Sequence, residues 1–138
     1  MARRKRTNDL EATFKLAYRS ARQTYPDAPE LVEQYKFYPH RRWKSDFAIP
    51  DKQLLVEIEG GVNPSTSRHK SIVGYHNDTV KYNAAVLHGW QVLRFDTFWV
   101  TRCPHEAALL VLSTCGLWLL QDDWERLQMA INTTRYMV

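Results

Sequence analysis

The segment SDFAIPDKQLLVEIEGG, residues 45–61, decides the expected fold of this chain. Its first apolar run ends at Pro50, and the residues PDKQ that start there favour a tight turn. The second run, LLVEIE, has the composition of a strand and is stopped by Gly60 and Gly61. The segment therefore predicts two neighbouring β-strands joined by a short turn.

Three carboxylates lie within these two strands. Side chains alternate between the faces of a sheet, so Glu57 and Glu59 share one face while Val56 and Ile58 share the other. Antiparallel pairing across the turn places Asp46 opposite the far end of the second strand. Acidic residues are rarely buried unless they are paired or bound. The pattern predicts that the three acids converge on one patch.

Two interpretations account for such a patch. Like charges brought together cost free energy through repulsion and desolvation. A divalent cation offsets that cost, since Mg²⁺ takes one or two carboxylates together with waters and phosphate oxygens. Alternatively, the acids line an exposed sheet face and form salt bridges with Lys52 and Arg42. Spacing alone leaves both interpretations open.

The sequence before this segment predicts one long helix and an edge strand. Residues 1–7 are expected to form a flexible basic tail, and residues 8–25 a helix capped by Thr7 or Asn8. An acidic helical turn is expected at PELVEQ, followed by a short strand at YKFYP. The predicted buried side of the helix consists of Leu10, Phe14, Ala17 and Ala21.

The sequence after this segment alternates helix and strand. A polar surface loop is expected at 62–74, a helix at 75–88 ended by Gly89, and a strand at WQVLRF. A C-terminal helical segment is expected over 104–138. The predicted buried stripe of the helix at 75–88 and its approach consists of Val73, Val80, Ala84 and Leu87.

The element order predicts a single α/β domain over residues 1–138, with a mixed central sheet in the order α-β-β-β-α-β flanked by helices. The apolar run at 107–120 is too short and too interrupted to span a bilayer. It is interpreted as a packed helix or a dimer contact. Cys103 and Cys115 lie far apart without a CxxC pair, which indicates reduced thiols and a cytoplasmic protein.

Charge is distributed unevenly along the chain. The net charge is +4, which is compatible with a polyanionic partner. One basic cluster spans residues 3–6, and a second, which includes Arg41, Arg42 and Lys44, lies directly before Asp46. The position of the second cluster beside the predicted acids favours contact with a phosphodiester backbone.

At these residues the chain resembles the PD-(D/E)XK nucleases: Asp46, ten residues, then Glu57-Ile58-Glu59 on a strand. The stretches RRWKSDFAIP, LLVEIEGG, RH and DTVKYNAAVLHGWQVLRF are similar to small phage and bacterial endonucleases related to very-short-patch-repair enzymes. The similarity covers residues 30–95 and implies a nuclease core at 30–96. It implies a restriction-endonuclease-like core that cleaves DNA with Mg²⁺, for which Mn²⁺ can substitute.

The resemblance also implies roles for individual residues. Asp46 and Glu57 match the metal-binding acids, and Glu33 (or Glu30) is the candidate for the acid that the first helix adds in this family. The motif ends in Lys in most members, whereas this chain has Glu59. That residue is expected to bind metal, to position water or to be a tolerated change.

Two further catalytic candidates lie after the motif. In some branches of the family the lysine comes from the following helix, and Lys81 fits that role. His69 occupies the place of a loop histidine that can act as a general base or protonate the leaving group. Its neighbours Arg68 and Lys70 are expected to contact DNA.

The sequence therefore predicts a Mg²⁺-dependent DNA endonuclease, either a nickase or an enzyme selective for junctions or mismatches, located in the cytoplasm (of the host, for a phage protein). A homodimer through the segment at 107–120 is a further expectation, and no membrane contact is expected. The alternative, favoured by the missing motif lysine, is a nuclease-fold module that binds nucleic acid without cutting it. A third is an unrelated small binding domain with salt-bridged strand acids.

Overall fold

The computed structural model describes residues 2–60 and 68–133, and their side chains over 9–60 and 72–133. These residues form a four-stranded sheet flanked by helices, with a single 3₁₀ turn at Pro50–Lys52. The elements in chain order are α1 (Ala2–Thr24), β1 (Val32–Tyr35), β2 (Ser45–Ile49), β3 (Leu54–Glu59), α2 (Arg68–Leu87), β4 (Gln91–Asp96), α3 (Thr97–Arg102), α4 (Pro104–Thr114) and α5 (Gln121–Thr133).

The sheet is mixed, as predicted. Its strand order is β1-β2-β3-β4; β1, β2 and β3 pair antiparallel, and β3 and β4 pair parallel. The predicted turn is the 3₁₀ turn, which ends with Gln53 in the left-handed conformation at φ 50°. The parallel pair requires a crossover, and α2 supplies it. The α/β class and the mixed sheet are therefore confirmed.

The predicted division of the two strand faces is also confirmed. Val56 and Ile58 of β3 pack with Phe47 of β2 in the larger of two core clusters. Ala48 and Leu55 belong to the smaller cluster on the opposite face. The alternation of side chains along a strand thus separates an apolar face from the face that carries the acids.

The larger cluster fills the space between the sheet and the helices α1 and α4. Phe14 of α1 is completely buried, and its ring packs against Tyr18, Phe47 and Phe95. The packed-helix interpretation of the run at 107–120 is correct for its helical part. The fully buried residues of α4 are Ala107, Ala108, Leu109, Val111 and Leu112.

The expected acidic helical turn at PELVEQ is wrong. Val32–Tyr35 form the edge strand β1, in which Glu33 pairs with Phe47 and Tyr35 with Ser45. Glu and Leu favour helix when a segment is isolated. Here the unpaired backbone groups of β2 offer a row of hydrogen bonds, and tertiary pairing overrides the local preference.

Both predictions for the region around α2 need correction. Residues 68–74 were expected in a loop, but the helix already begins at Arg68. The predicted buried stripe is also wrong, because Val73, Val80 and Leu87 are exposed and Ala85 is buried. The helix packs onto the sheet through a different side, since β3 presents a carboxylate there that needs a cation.

Helix boundaries at the two ends of the chain differ from the predicted ones. α1 begins at Ala2, ahead of the predicted caps, because the intervening Arg and Lys residues are good helix formers. A short extra helix, α3, begins at Thr97 and is capped by Asp96, whose side chain accepts a hydrogen bond from the backbone N–H of Trp99. Among the described residues, no helix is long and apolar enough to cross a membrane.

Replacement of Phe14 with Ala is expected to lower the free energy of unfolding by about 3–5 kcal/mol, because it leaves a cavity among three aromatic rings. Chemical denaturation measures this loss. The matched control is Leu16→Ala on the same helix, where Leu16 is exposed; a change within about 0.5 kcal/mol is expected. Equal losses in the two variants would contradict the described packing of α1.

Candidate functional site

The candidate site lies where β2 begins and β3 ends. Phe47 pairs with Val56, so the next residues outward, Asp46 and Glu57, lie side by side. Oδ2 of Asp46 accepts a hydrogen bond of 2.8 Å from the backbone N–H of Ile58. The Glu57 carboxyl lies near that of Asp46, whose charge acts on it. The predicted convergence of Asp46 and Glu57 is therefore present.

Glu57 is the buried member of this pair, with 6% of its surface exposed. Burial raises the pKa of its carboxyl to about 7, an effect that Lys81 opposes and the charge of Asp46 reinforces. Glu57 therefore holds its proton up to near neutral pH. A proton on Glu57 lets it donate a hydrogen bond to the Asp46 carboxylate.

A third acid, Glu11, reaches the pair from α1. Its carboxyl lies near that of Asp46, whose charge acts on it. Burial first, and then the charge of Asp46 and its hydrogen bond, raise the pKa of Glu11 to about 7. Glu11, Asp46 and Glu57 are called the acid cluster below. Its members come from a helix and two strands that are distant in sequence.

Lys81 completes the site from the side of α2. Its Nζ lies 3.0 Å from Oε1 of Glu57 and donates a hydrogen bond of 2.9 Å to the backbone carbonyl of Lys44. The Lys81 side chain is 15% exposed. Lys81 is thus held between the Glu57 carboxyl and the Lys44 carbonyl, and its catalytic role stays a prediction.

Glu59 is paired elsewhere. It accepts a hydrogen bond of 2.6 Å from Nε of Arg94 on the neighbouring strand β4, and the Arg94 guanidinium also lies 4.5 Å from the ring centre of Tyr82. The salt-bridge interpretation therefore named the wrong partners, Lys52 and Arg42. Glu57 pairs with Lys81, and Glu59 pairs with Arg94.

Glu33 and Glu30 do not lie on the first helix. Glu33 is on β1, where it forms an ion pair of 2.7 Å with Lys15, and its charge reaches the acid cluster only as a weaker influence on Glu11. Glu30 is an exposed side chain 3.5 Å from Arg22. The helix acid in contact with Asp46 is Glu11.

The basic loop before β2 leads directly into the site. Arg41, Arg42 and Lys44 are exposed, and the Arg41 guanidinium lies 4.3 Å from the ring centre of Trp43. The carbonyl of Lys44 is the group bonded by Lys81. The backbone of this loop is therefore tied to the site through Lys44, and the contact of its three basic side chains with DNA stays a prediction.

Roles were also predicted for Arg68, His69 and Lys70. Their backbone belongs to the first turn of α2, and their side chains lie outside the described residues.

Sequence reasoning missed Glu11 and Arg94. The predicted N-terminal helix contains only two acids, Asp9 and Glu11. Both stand next to the buried Leu10, so the sequence did not single out Glu11, whose place beside Asp46 depends on how α1 packs on the sheet. Arg94 carried no comparable signal, because its pairing with Glu59 depends on the parallel register of β3 and β4.

The acid cluster matches the needs of a divalent cation in charge and in ligand type. Two of its three carboxyls, those of Glu11 and Glu57, have a raised pKa, so the cluster reduces its charge repulsion by binding protons. A bound cation would reduce the same repulsion. Carboxylate oxygens are the ligands that Mg²⁺ prefers. Over residues 9–60 and 72–133, however, no three His, Cys, Asp or Glu side chains stand around a common point as a ready set of metal ligands. Two adjacent carboxylates completed by water satisfy Mg²⁺ without such a set.

Comparison of the chain with family models, with curated proteins and with solved structures finds no match. The assignment of a function therefore depends on the acid cluster, on Lys81 and on the basic loop.

Thermal stability in EDTA is expected to fall as the pH rises from about 5 to about 8. A raised pKa in the folded state stabilises the protein below the unfolded pKa of about 4.5, and this contribution is lost as the pH rises through the folded value of about 7. A decrease of several degrees in Tm is expected. Differential scanning calorimetry across this pH range measures it.

The variant Glu57→Gln should have a clearly flatter pH profile, because the amide cannot lose a proton. Glu30→Gln, at an exposed acid, is the matched control and should retain the wild-type slope. A wild-type Tm that rises between pH 5 and pH 8, or an identical slope for Glu57→Gln, would contradict the raised pKa of Glu57.

Proposed function

We propose that this chain is a Mg²⁺-dependent DNA endonuclease with a restriction-endonuclease-like core, which hydrolyses phosphodiester bonds at the acid cluster. The observation that carries the proposal is the meeting of Asp46 and Glu57 with Lys81 at the ends of two core strands. The α-β-β-β-α-β order and the parallel pair β3–β4 are compatible with such a core.

Asp46 and Glu57 are the proposed ligands of the cation, and Mn²⁺ is proposed to substitute for Mg²⁺. When bound, the cation would activate a water and neutralise charge on the phosphate. Glu11, which contacts Asp46, would orient water beside these carboxylates. Glu11 thus takes the place expected for Glu33 as the acid added by the first helix, because Glu33 is paired with Lys15.

Lys81 is proposed to stabilise the negative charge that develops on the phosphate during hydrolysis. The attacking water loses a proton as its oxygen bonds to phosphorus, the bond to the leaving sugar oxygen breaks, and that oxygen takes up a proton. A cation fixed by Glu57 and by the Lys44 carbonyl is preorganised for this charge. His69 remains the candidate proton donor to the leaving oxygen.

Glu59 has no direct part in this proposal. Its pairing with Arg94 leaves it unsuited as a metal ligand and assigns it a positioning role, in which it holds Arg94 against Tyr82 at the edge of the site. The motif lysine that Glu59 replaces is proposed to be supplied by Lys81.

DNA is the proposed substrate because the entrance is basic. Arg41, Arg42 and Lys44 would contact phosphates, joined by Arg68 and Lys70. The proposed reaction is either the nicking of duplex DNA or the selective cleavage of junctions or mismatches. The cytoplasm is the proposed location, in agreement with the free thiols of the two cysteines.

A second candidate function is a nuclease-fold module that binds DNA without cutting it. It is favoured by the ion pair between Glu59 and Arg94, because most PD-(D/E)XK nucleases have a free lysine at the position of Glu59. The two candidates differ in a single readout, the production of new DNA ends.

Nicking of supercoiled plasmid and cleavage of four-way junction and mismatched duplexes should require Mg²⁺ or Mn²⁺ and cease in EDTA. Asp46→Asn, Glu57→Gln and Lys81→Met are each expected to lower the cleavage rate at least about a hundredfold, the usual effect of removing a catalytic group. Gel quantification of the products measures the rates.

Glu33→Gln is the matched control, because this acid lies near the site but is paired with Lys15. Its rate should stay within a few-fold of wild type, whereas Glu11→Gln should be clearly slower. Binding of all three DNAs without cleavage in either metal would reject the nuclease and support the inert module. Full activity in both Asp46→Asn and Glu57→Gln would reject the site.

Affinity for DNA should depend on salt through the basic loop. Each of Arg41→Ala, Arg42→Ala and Lys44→Ala is expected to weaken binding and to reduce the slope of log K against log salt by about one. Fluorescence anisotropy at several salt concentrations, with EDTA present, measures this. Arg126→Ala, remote from the site on α5, should leave the slope unchanged; equal effects for all four variants would contradict the proposed interface.

A further inference from the structure

A row of charged residues crosses three neighbouring strands of the sheet. Asp46 of β2 lies beside Glu57 of β3, and Glu57 pairs with Arg94 of β4. Side chains at paired positions share a face of the sheet, and neighbouring strands lie about 4.8 Å apart. Arg94 therefore stands one strand away from Glu57, on the face that carries the acids.

The guanidinium of Arg94 is held on two sides. Its Nε, at 2.6 Å, and its Nη2 both contact Oε1 of Glu59. The ring of Tyr82 lies against it, with the ring centre 4.5 Å from Cζ. Because a guanidinium has five N–H donors, contact with one carboxylate oxygen leaves further donors over. With 48% of its side chain exposed, Arg94 can offer these donors to a ligand.

Stability alone does not account for this arrangement. An ion pair whose side chains are 36% and 48% exposed contributes little to folding, because water already solvates both charges. The planar fork of an arginine fits the oxygens of a phosphate. Since Glu59 and Tyr82 already fix the guanidinium, less conformational freedom is lost when a phosphate binds. The arrangement suits recognition of a phosphate better than it suits support of the fold.

Tyr82 connects Arg94 with Lys81. Nζ of Lys81 lies 5.6 Å from the ring centre of Tyr82, against which the Arg94 guanidinium also packs. Two cations therefore meet at one ring, and Lys81 is the one that contacts Glu57. Successive phosphates of one DNA strand follow each other at about 3.4 Å of helix rise. A strand with one phosphate beside Lys81 thus brings a neighbouring phosphate within reach of Arg94.

We propose that Arg94 binds a DNA phosphate next to the phosphate at the acid cluster, and that Glu59 and Tyr82 are positioning residues for it. The proposal rests on the proposed function, since it names a further contact with the same substrate. The bound strand crosses the sheet from the basic loop before β2, over the acid cluster, to Arg94 on β4. The acid at the position of the motif lysine then holds a substrate-binding cation from the next strand.

The test compares two variants that break the same ion pair. Arg94→Gln removes the cation, so it should weaken binding of a four-way junction several-fold and lower the slope of log K against log salt by about one. Glu59→Gln keeps the cation and removes a charge that repels phosphate, so it should keep the wild-type slope. Arg94→Lys should also keep the slope, because it retains the charge. Fluorescence anisotropy at several salt concentrations, with EDTA present, measures these slopes.

Arg22→Gln is the matched control for Arg94→Gln. Arg22 is also ion-paired, with Glu30 at 3.5 Å, and its side chain is 34% exposed. It lies about 16 Å along α1 from Glu11, at 1.5 Å per residue, so its loss should leave the slope unchanged. Circular dichroism checks the folding of each variant. An unchanged slope in Arg94→Gln, an equal loss of slope in Glu59→Gln, or a wild-type chain that binds no DNA would overturn the proposal.

The NMR resonance of the Arg94 Nε–H gives a direct readout, and its absence in Arg94→Lys identifies it. A short duplex added in EDTA should shift this resonance and leave that of Arg22 in place. Tyr82→Phe should keep the shift, whereas Tyr82→Leu should reduce it, because the ring holds the guanidinium. Equal shifts of the two arginine resonances, or no shift of either, would contradict a phosphate contact at Arg94.

Neither measurement depends on cleavage. Binding without cleavage, together with a lowered slope in Arg94→Gln, would reject the nuclease proposal and keep the phosphate contact. Metal-dependent cleavage by wild type, together with a wild-type slope in Arg94→Gln, would reject the phosphate contact and keep the nuclease. The two proposals therefore fail in distinguishable ways.

Discussion

The buried carboxylate of Glu57 is the constraint on which the arrangement of this domain depends. An ionised carboxylate away from water is costly unless a cation and hydrogen bonds compensate it. Lys81 supplies the cation at 3.0 Å, and Asp46 supplies a hydrogen-bonding neighbour. To bring Lys81 there, α2 must lie across the sheet with Lys81, Tyr82 and Ala85 inward. The exposure of its valines and of Leu87 follows from that orientation.

The same constraint links the site to its surroundings. Lys81 bonds the Lys44 carbonyl, which fixes the end of the basic loop beside the acids. Glu11 reaches Asp46 from α1, whose position is set by Phe14 packing against Phe47 and Phe95. The strands β2 and β3 therefore carry the larger core cluster on one face and Asp46 and Glu57 on the other.

Much of this arrangement could be predicted from the sequence, because it follows from local periodicity. The alternation in LLVEIE determined which side of β3 is apolar, and the short turn at Pro50 determined the register that joins Asp46 to Glu57. These predictions needed only the two-residue period of a strand and a short turn, and both survive folding unchanged. Lys81 was selected differently, through the resemblance to nucleases in which the helix after the motif supplies the lysine.

The rest depended on contacts between distant residues. β1 is a strand because β2 offers it backbone partners, although its own residues favour helix. The buried side of α2 was misassigned because its valines are more apolar than Lys81, and only the position of Glu57 reverses that preference. Glu59 was grouped with the other acids because Arg94, its partner, comes from a strand 35 residues away.

The central claim is that the acid cluster binds a divalent cation, and calorimetric titration of Mn²⁺ near pH 7 in buffers of different ionisation enthalpy tests it most directly. The account predicts one Mn²⁺ per chain with release of protons, because the carboxyls of Glu11 and Glu57 have a pKa of about 7 and a metal displaces their protons. It also predicts that Asp46→Asn abolishes both signals. Absence of Mn²⁺ binding, or binding without proton release that Asp46→Asn leaves intact, would contradict it.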